Sequence, residues 1–481
     1  MFGSYVSLCA SKSEVCSEHL RSILLKFSPP PMGWRPGIWF SCDLNCKKYP
    51  TDCLNELLYV EMADALFMDG YRKAGYTLIY VDDCARERTL NEEGQVVMNS
   101  QRFPTGVRFL SNYFHERRLD FGINRGIVRP VCLDKSRRDR FYLTLDKLLD
   151  LRTDFVEMNA CDPTHIRRAS KTMLVYCNGN QPDDKKYPPK FCDVHRPADL
   201  PTISDNWQSV SNVIDYAVKN YKKLLAIREK GHWIDFGELT IGNEGLTIGQ
   251  SRIQMSMWCM WSAPLMMSND LRNVKRSIRR ILLNEKAIDI DQDELGELAN
   301  LVFENKGLSY FVKKVEPCNA GKTVCSHAVA VINRSNITTT AAFKFSDLGL
   351  TYNGPYRIVG VWSNCRRFNS TASDVFRSNV ESMDAHMYKI TPMDFDNTNP
   401  SKLEKKTGRQ SFHIVRQSYD NPFRLPLAKA SEEHQWYTEL TSLIFGWEFV
   451  WLFGVILASS IIYIAIQIEK QRLRYSFILV P

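Results

Sequence analysis

Net charge is what this sequence has least of. Its 62 Lys and Arg against 54 Asp and Glu leave +8 over 481 residues. No block of basic residues with interleaved aromatics is present, so no nucleic-acid partner is expected. No G-x-G-x-x-G opens the first strand–helix unit, which argues against a dinucleotide-binding fold. Residues 1–31 lack a basic n-region and any long apolar run, so they show no clear signal peptide. Compositional bias is missing too. At 44% hydrophobic and 24% charged residues the chain is near the globular average, which excludes intrinsic disorder, collagen and a polytopic membrane protein.

Cysteine, by contrast, is plentiful at fourteen residues. Cys42, Cys46, Cys53, Cys84, Cys132, Cys161, Cys177 and Cys192 lie close together in sequence. Zinc sites show paired knuckles. Cys42-x-x-x-Cys46 has no second knuckle and no His cluster joins it. No metal or cofactor is therefore expected, and disulfides in an oxidising compartment are the better reading. The sequons Asn333-Arg-Ser335, Asn336-Ile-Thr338 and Asn369-Ser-Thr371 agree with that compartment.

One apolar run is long. Phe449 to Ile466 contains no charge, and eighteen to twenty residues at ~1.5 Å each span a hydrocarbon core of about 30 Å. Trp447 and Trp451 lie at its upstream end, Lys470, Arg472 and Arg474 follow, and Glu432, Glu433, Glu439 and Glu448 precede it. The positive-inside rule puts the tail in the cytoplasm and the large N-terminal part in a lumen or outside. We expect a transmembrane helix over 443–468, a stalk over 396–442 and a cytoplasmic tail over 469–481, in an endolysosomal or cell-surface membrane. Such a topology requires an entry signal, so either the N-terminus is incomplete, which we favour, or the anchor itself drives targeting.

Between these ends two rhythms alternate. Pro29-Pro30-Pro31 breaks the chain before Met32. Amphipathic stretches then lead into apolar runs: Leu54–Ala74 into Tyr76–Val81, Gly106–Arg118 into Leu119–Ile123, Leu143–Leu151 into Phe155–Met158, and Thr164–Ser170 into Met173–Tyr176. Val210–Tyr221 and Ile253–Met260 continue the pattern. Six or more such units predict a (β/α)8 barrel over 32–300. After Gly296, short β-branched and aromatic runs (Leu308–Val315, Ala328–Asn333, Thr339–Phe345, Tyr356–Trp362) predict an antiparallel β-sandwich domain over 301–395. Barrel chemistry sits at the C-terminal ends of strands. Those ends carry Asp82-Asp83, Asn124, Asn159, Asn178 and Asp235. Paired carboxylates there suit sugar hydroxyls, and a helix cap or a rim ion pair is the equal alternative.

Several longer motifs, in order, carry a resemblance. They are Met32-Gly-Trp34, Cys42-Asp-Leu-Asn-Cys46, Tyr80-Val-Asp-Asp-Cys84, Gln101-Arg-Phe-Pro104 with Gly106, and Ser262-Ala-Pro-Leu-Met-Met-Ser-Asn-Asp-Leu-Arg272. Ile290-Asp-Gln-Asp293 and Val331-Ile-Asn-Arg334 continue the series. Over residues 32–395 the chain resembles glycoside hydrolase family 27, the α-galactosidase and α-N-acetylgalactosaminidase group. The resemblance implies the same barrel and β domain, a possible homodimer, and disulfides Cys42–Cys84, Cys46–Cys53, Cys132–Cys161 and Cys177–Cys192. Proximity adds Cys318–Cys325.

The family's retaining mechanism uses a carboxylate nucleophile and a carboxyl acid/base. The resemblance places the nucleophile at Asn159, in Glu157-Met-Asn-Ala-Cys161, with the neighbouring sugar-binding Lys reversed to Glu157. It places the acid/base at Thr202, counted back from Trp207. Asp199 or Asp205 is a possible substitute acid/base. The sugar-floor Trp aligns with Gly37, a Tyr with Asn124, a Glu-Trp pair with Asn178-Gly179, and Asn-Asp-Pro-Asp-Met with Ile234-Asp-Phe-Gly-Glu238, which loses the second Asp. Asp82, Asp83 and Arg196 remain as substrate-binding residues. The expectation is a membrane-anchored, catalytically impaired protein that binds a terminal α-galactosyl or α-N-acetylgalactosaminyl glycan, or a protein, through the barrel mouth. An active retaining glycosidase, with Asp199 as acid and Glu157 as nucleophile, is the alternative. An adhesion or chaperone-like ectodomain is a third reading.

Overall fold

The structure, a computed structural model, describes residues 29–40, 44–82, 86–90, 96–124, 148–158, 173–178, 192–228, 231–319, 321–363 and 365–393. The apolar run 449–466, with the expected stalk and tail, lies outside them. Among the described residues no helix is long and apolar enough to cross a membrane.

Strand β1 (Met32–Trp34) is followed by helices α1 (Glu56–Met68) and α2 (Tyr71–Ala74) and by strand β2 (Leu78–Val81). A hairpin, β3 (Arg86–Leu90) and β4 (Val96–Met98), precedes α3 (Val107–Glu116) and β5 (Asp120–Asn124). Strands β6 (Phe155–Met158), β7 (Leu174–Asn178) and β8 (Val194–Arg196) come next. Then follow α4 (Trp207–Lys219), α5 (Tyr221–Ile227), β9 (Trp233–Ile234), α6 (Ile248–Met260) and β10 (Leu265–Met267). Helices α7 (Arg276–Leu282) and α8 (Glu285–Asp291) end this part.

These strands form one eight-stranded sheet in the order β10-β1-β2-β5-β6-β7-β8-β9, and every pairing is parallel. The chain leaving β9 bridges back to β10 at Leu239 and Met267, as expected for a (β/α)8 barrel. Burial explains the strand sequences. β1 and β2 are covered throughout, so they read as apolar runs rather than alternating ones. Gly33 is required by close approach, because a Cβ there would lie 2.0 Å from the Leu78 carbonyl oxygen.

Helix starts are written locally. Asn55 caps α1 by accepting from Leu58 N at 2.9 Å, and Asn206 caps α4 by accepting from Ser209 N at 2.8 Å. Such caps contribute about 1 kcal/mol each. Val210, Val213, Ile214 and Ala217 form the buried stripe of α4, at the spacing an amphipathic helix needs. The expected single helix from Leu54 to Ala74 is divided at Asp69-Gly70. Gly70 takes φ +89°, a conformation that disfavours any side chain.

The β domain holds β11 (Asn300–Asn305), β12 (Leu308–Cys318), β13 (Cys325–Asn333), β14 (Thr339–Lys344), β15 (Tyr356–Gly360), β16 (Arg366–Ser370), β17 (Val375–Val380) and β18 (Asp384–Pro392). A six-stranded antiparallel sheet runs β11-β12-β13-β18-β15-β16, and β14 pairs with β17. The period of two assigns each side chain of β13 to a layer. Val329 and Val331 join the core between the two sheets, with Tyr310, Phe343, Phe376 and Tyr388. Ala328, Ala330 and Ile332 join the barrel core instead. The larger sheet is thus covered on both faces.

Among the polar contacts between barrel and β domain, two cations stand out. Arg252 of α6 donates to both carboxylate oxygens of Asp384, through Nε at 2.8 Å and through Nη2. Lys313 of β12 is almost fully buried. Its Nζ donates to Cys259 O at 3.0 Å, Ser262 Oγ at 2.7 Å and Ile290 O at 2.7 Å. Burial lowers its pKa to about 8, against the opposing pull of Asp291 and Asp293.

Disulfides join Cys46 to Cys53, Cys177 to Cys192 and Cys318 to Cys325. The implied pairs Cys42–Cys84 and Cys132–Cys161 lie outside the described residues. One sequon is corrected. Asn333 is fully buried, and its amide nitrogen donates to Ile337 O at 2.7 Å and Val380 O at 3.1 Å. That nitrogen has no hydrogen to spare and no access to solvent, so it cannot carry a glycan in this fold. Asn336 and Asn369 are exposed.

Candidate functional site at the barrel mouth

Six charged side chains from five strand ends meet where the parallel strands finish. Arg35 follows β1, Asp82 follows β2, Glu157 lies on β6, Arg196 closes β8, and Asp235 and Glu238 follow β9. Arg35 crosses the mouth. Its Nη1 is 3.3 Å from Glu238, and its Nη2 is 3.7 Å from Glu157 and 3.8 Å from Asp82. Its guanidinium lies 4.4 Å from the centre of the Tyr80 ring, a cation–π distance. The Tyr80 hydroxyl donates to Glu157 Oε2. Burial alone would lower the pKa of Arg35, but Glu238, Tyr80, Asp82 and Glu157 hold it well above the usual guanidinium value. Burial, and then the Glu157 charge, pushes the Tyr80 phenol well up, so it stays a donor.

The opposite side is built on Asp235. Its Oδ2 accepts from the Tyr176 hydroxyl at 2.8 Å and its Oδ1 from Gly237 N at 2.7 Å. Arg196 Nη1 stands 3.8 Å from the same carboxylate, while its Nη2 donates to Pro201 O at 3.1 Å. Gly237 has φ +97°, and a Cβ there would lie 2.5 Å from Ile203 Cγ1. The absent second Asp of the Asn-Asp-Pro-Asp-Met pattern is therefore matched by an Ile that occupies its space. The Cys177–Cys192 disulfide ties the end of β7 to the start of β8.

The expected site residues divide. Asp82 and Arg196 are in the mouth. Asp83 and Asn159 lie outside the described residues, as do the side chains of Asn124 and Asn178. Thr202 is exposed, between Pro201 and the buried Ile203. Asp199 is corrected as a substitute acid. It accepts from Tyr216 Oη at 2.7 Å and from Lys223 Nζ at 2.8 Å, on the outer helical layer. Burial works to raise its pKa, but the bonds from Lys223 and Tyr216 outweigh that and hold it below the usual carboxylate value, opposite to what a general acid needs. Asp205 is shifted upward by burial, but its carboxylate is held by Gly245 N at 3.2 Å.

Arg35 and Tyr176 were not legible as site residues, and Tyr80 and Glu238 were legible only as members of motifs. The available signal was Glu157. A charge reversal in a buried mouth calls for a new opposite charge nearby, and Arg35 supplies it.

Comparison with known proteins fits this geometry. A family model described as alpha galactosidase A matches residues 29–173 and 168–293. An alpha-N-acetylgalactosaminidase of Gallus gallus is 30% identical over 357 residues, covering 69% of this chain and 86% of that protein. Alpha-galactosidase A of Homo sapiens is 27% identical over 327 residues, covering 64% and 75%. The crystal structure of alpha-galactosidase I from Mortierella vinacea superposes with a TM-score of 0.61 at 16% identity, over 76% of this chain and 98% of that one. The chain belongs to the alpha-galactosidase family of glycosidases, glycoside hydrolase family 27.

Proposed function

We propose that this protein is a membrane-anchored, catalytically impaired member of its family that binds a terminal α-galactosyl or α-N-acetylgalactosaminyl glycan in the barrel mouth. The observation that carries the reading is the mouth cluster. Asp82 and Arg196 are retained there, while Glu157 and Glu238 are turned toward a resident guanidinium, Arg35. A carboxylate paired with a cation in that way is a weaker nucleophile toward an anomeric carbon. Asn159 and Thr202, at the two positions where the family resemblance puts carboxyl groups, remove the covalent route and its proton transfers. Each such role is worth a factor of order 10²–10⁴ or more. The pairing of Asp199 with Lys223 and Tyr216, which holds its carboxyl below the usual value, speaks against it as a substitute acid.

The alternative is an active retaining α-galactosidase or α-N-acetylgalactosaminidase. It draws on the names of the relatives and on Glu157, a mouth carboxylate in reach of a ligand. We place the barrel and β domain in a lumen or outside the cell, attached through the run 449–466, in an endolysosomal or surface membrane, with homodimerisation as in the family. The test is glycan-array binding by the full chain in detergent. Binding to terminal α-galactosides or α-N-acetylgalactosaminides that is lost in Asp82→Ala supports the reading. Binding that survives Asp82→Ala moves the ligand away from the mouth.

A further inference from the structure

Arg35 carries an inference that neither the motifs nor the relatives supply. Three carboxylates surround its guanidinium, but at 3.3 to 3.8 Å. These separations neutralise charge without using up N–H donors, since hydrogen bonds from nitrogen close at 2.7–3.2 Å. Its Nε is buried and meets no hydrogen-bond partner. A planar donor fork has thus been brought to the mouth with unfilled hydrogen-bonding capacity. Around it the described residues provide acceptors: Asp82, Glu157 and Glu238, with Asp235 across the mouth.

We infer that Arg35 is a ligand-reading residue of the mouth, donating to ring or hydroxyl oxygens of a neutral glycan whose own hydroxyls donate to Asp82 and Glu157. This rests on the reading of the mouth as a glycan site. The class follows from charge. Among the described residues two guanidiniums, Arg35 and Arg196, face four carboxylates. The excess negative charge repels a uronate, sulfate or phosphate, and a polyol can serve donors and acceptors together. The pairing also makes Arg35 a positioning residue for Glu157, whose orientation it fixes jointly with Tyr80.

The test measures affinity of the full chain in detergent for methyl α-galactopyranoside, methyl α-N-acetylgalactosaminide and methyl α-galacturonide. Arg35→Lys keeps the charge and removes Nε and the planar fork. Neutral glycoside binding that weakens at least about tenfold in Arg35→Lys, with an unchanged melting temperature, is the expected result. Equal affinity in wild type and Arg35→Lys overturns the inference and leaves the glycan-site reading intact. No neutral glycoside binding by the wild type overturns both. Tighter binding of the uronide overturns the assigned class. If Arg35→Lys does not fold, Arg35→Gln keeps a planar amide donor at the position, removes the guanidinium fork and leaves Asp82, Glu157 and Glu238 in place. Loss of binding in that folded variant supports the inference and retention overturns it.

Discussion

Asp193 offers a measurable link between this barrel and pH. It stands one residue before β8, and its Oδ2 accepts from Val175 N at 2.8 Å. Its own N–H donates to Val175 O at 2.8 Å, so the residue stitches β7 to β8 at the closed base of the Cys177–Cys192 loop. Burial pushes its carboxyl up from 3.8 to about 7, against the pull of the backbone N–H groups. The folded-state value is raised for an acid. Between pH 3.8 and about 7 the folded chain therefore keeps a proton that the unfolded chain has released, and stability falls as pH rises through that window. The full displacement corresponds to ~4 kcal/mol at ~1.36 kcal/mol per pH unit. Asp193 is only half-buried, so solvent screening reduces this to ~2 kcal/mol. Asp193→Asn keeps an acceptor for Val175 N and has no proton to lose. We expect wild type and Asp193→Asn to be equally stable at pH 4 and the variant to be more stable by ~2 kcal/mol at pH 7.5, measured by urea unfolding of the full chain. A difference that does not change with pH refutes the reasoning.

Lys313→Met strands three acceptors at the barrel–β-domain junction and should lower stability by ~3 kcal/mol at pH 7. Since the folded state holds Lys313 at about 8 rather than 10.5, the wild type gains stability between those pH values and the variant does not, which melts from pH 7 to 10 will show. Asp199→Ala should leave glycan binding unchanged and cost less than ~1 kcal/mol, as an exposed ion pair does. Glycopeptide mass spectrometry should find glycans at Asn336 and Asn369 and none at Asn333. A glycan on Asn333 would contradict the burial and pairing of its amide.

How much of this was legible varied with the range of the interaction. Strand–helix alternation is local, and the apolar runs at Tyr76–Val81 and Phe155–Met158 correspond to β2 and β6. β13 was legible as an apolar run because both its faces are buried, Ala328, Ala330 and Ile332 against the barrel and Val329 and Val331 against the second sheet. The division of Leu54–Ala74 was missed because a single Gly70 does not reveal its φ without its surroundings. Asp82 was legible as a strand-end carboxylate, and Arg196 only through the family resemblance. Arg35 was not. Its meaning depends on Glu157 and Glu238, which are 122 and 203 residues away in sequence and reach it only once the barrel is formed. Asp199 misled for the converse reason. Sequence placed it beside Arg196, whereas the helical layer turns it outward to Lys223.

The central claim is that this mouth binds but does not hydrolyse. Its most direct test is turnover of aryl α-galactoside and aryl α-N-acetylgalactosaminide by the full chain in detergent, from pH 4 to 7, beside Asn159→Asp/Thr202→Asp. The account predicts no turnover above the uncatalysed rate from the unmodified chain at any pH in this range. Clear turnover by the unmodified chain that is abolished by Glu157→Gln would contradict it and identify a rewired glycosidase.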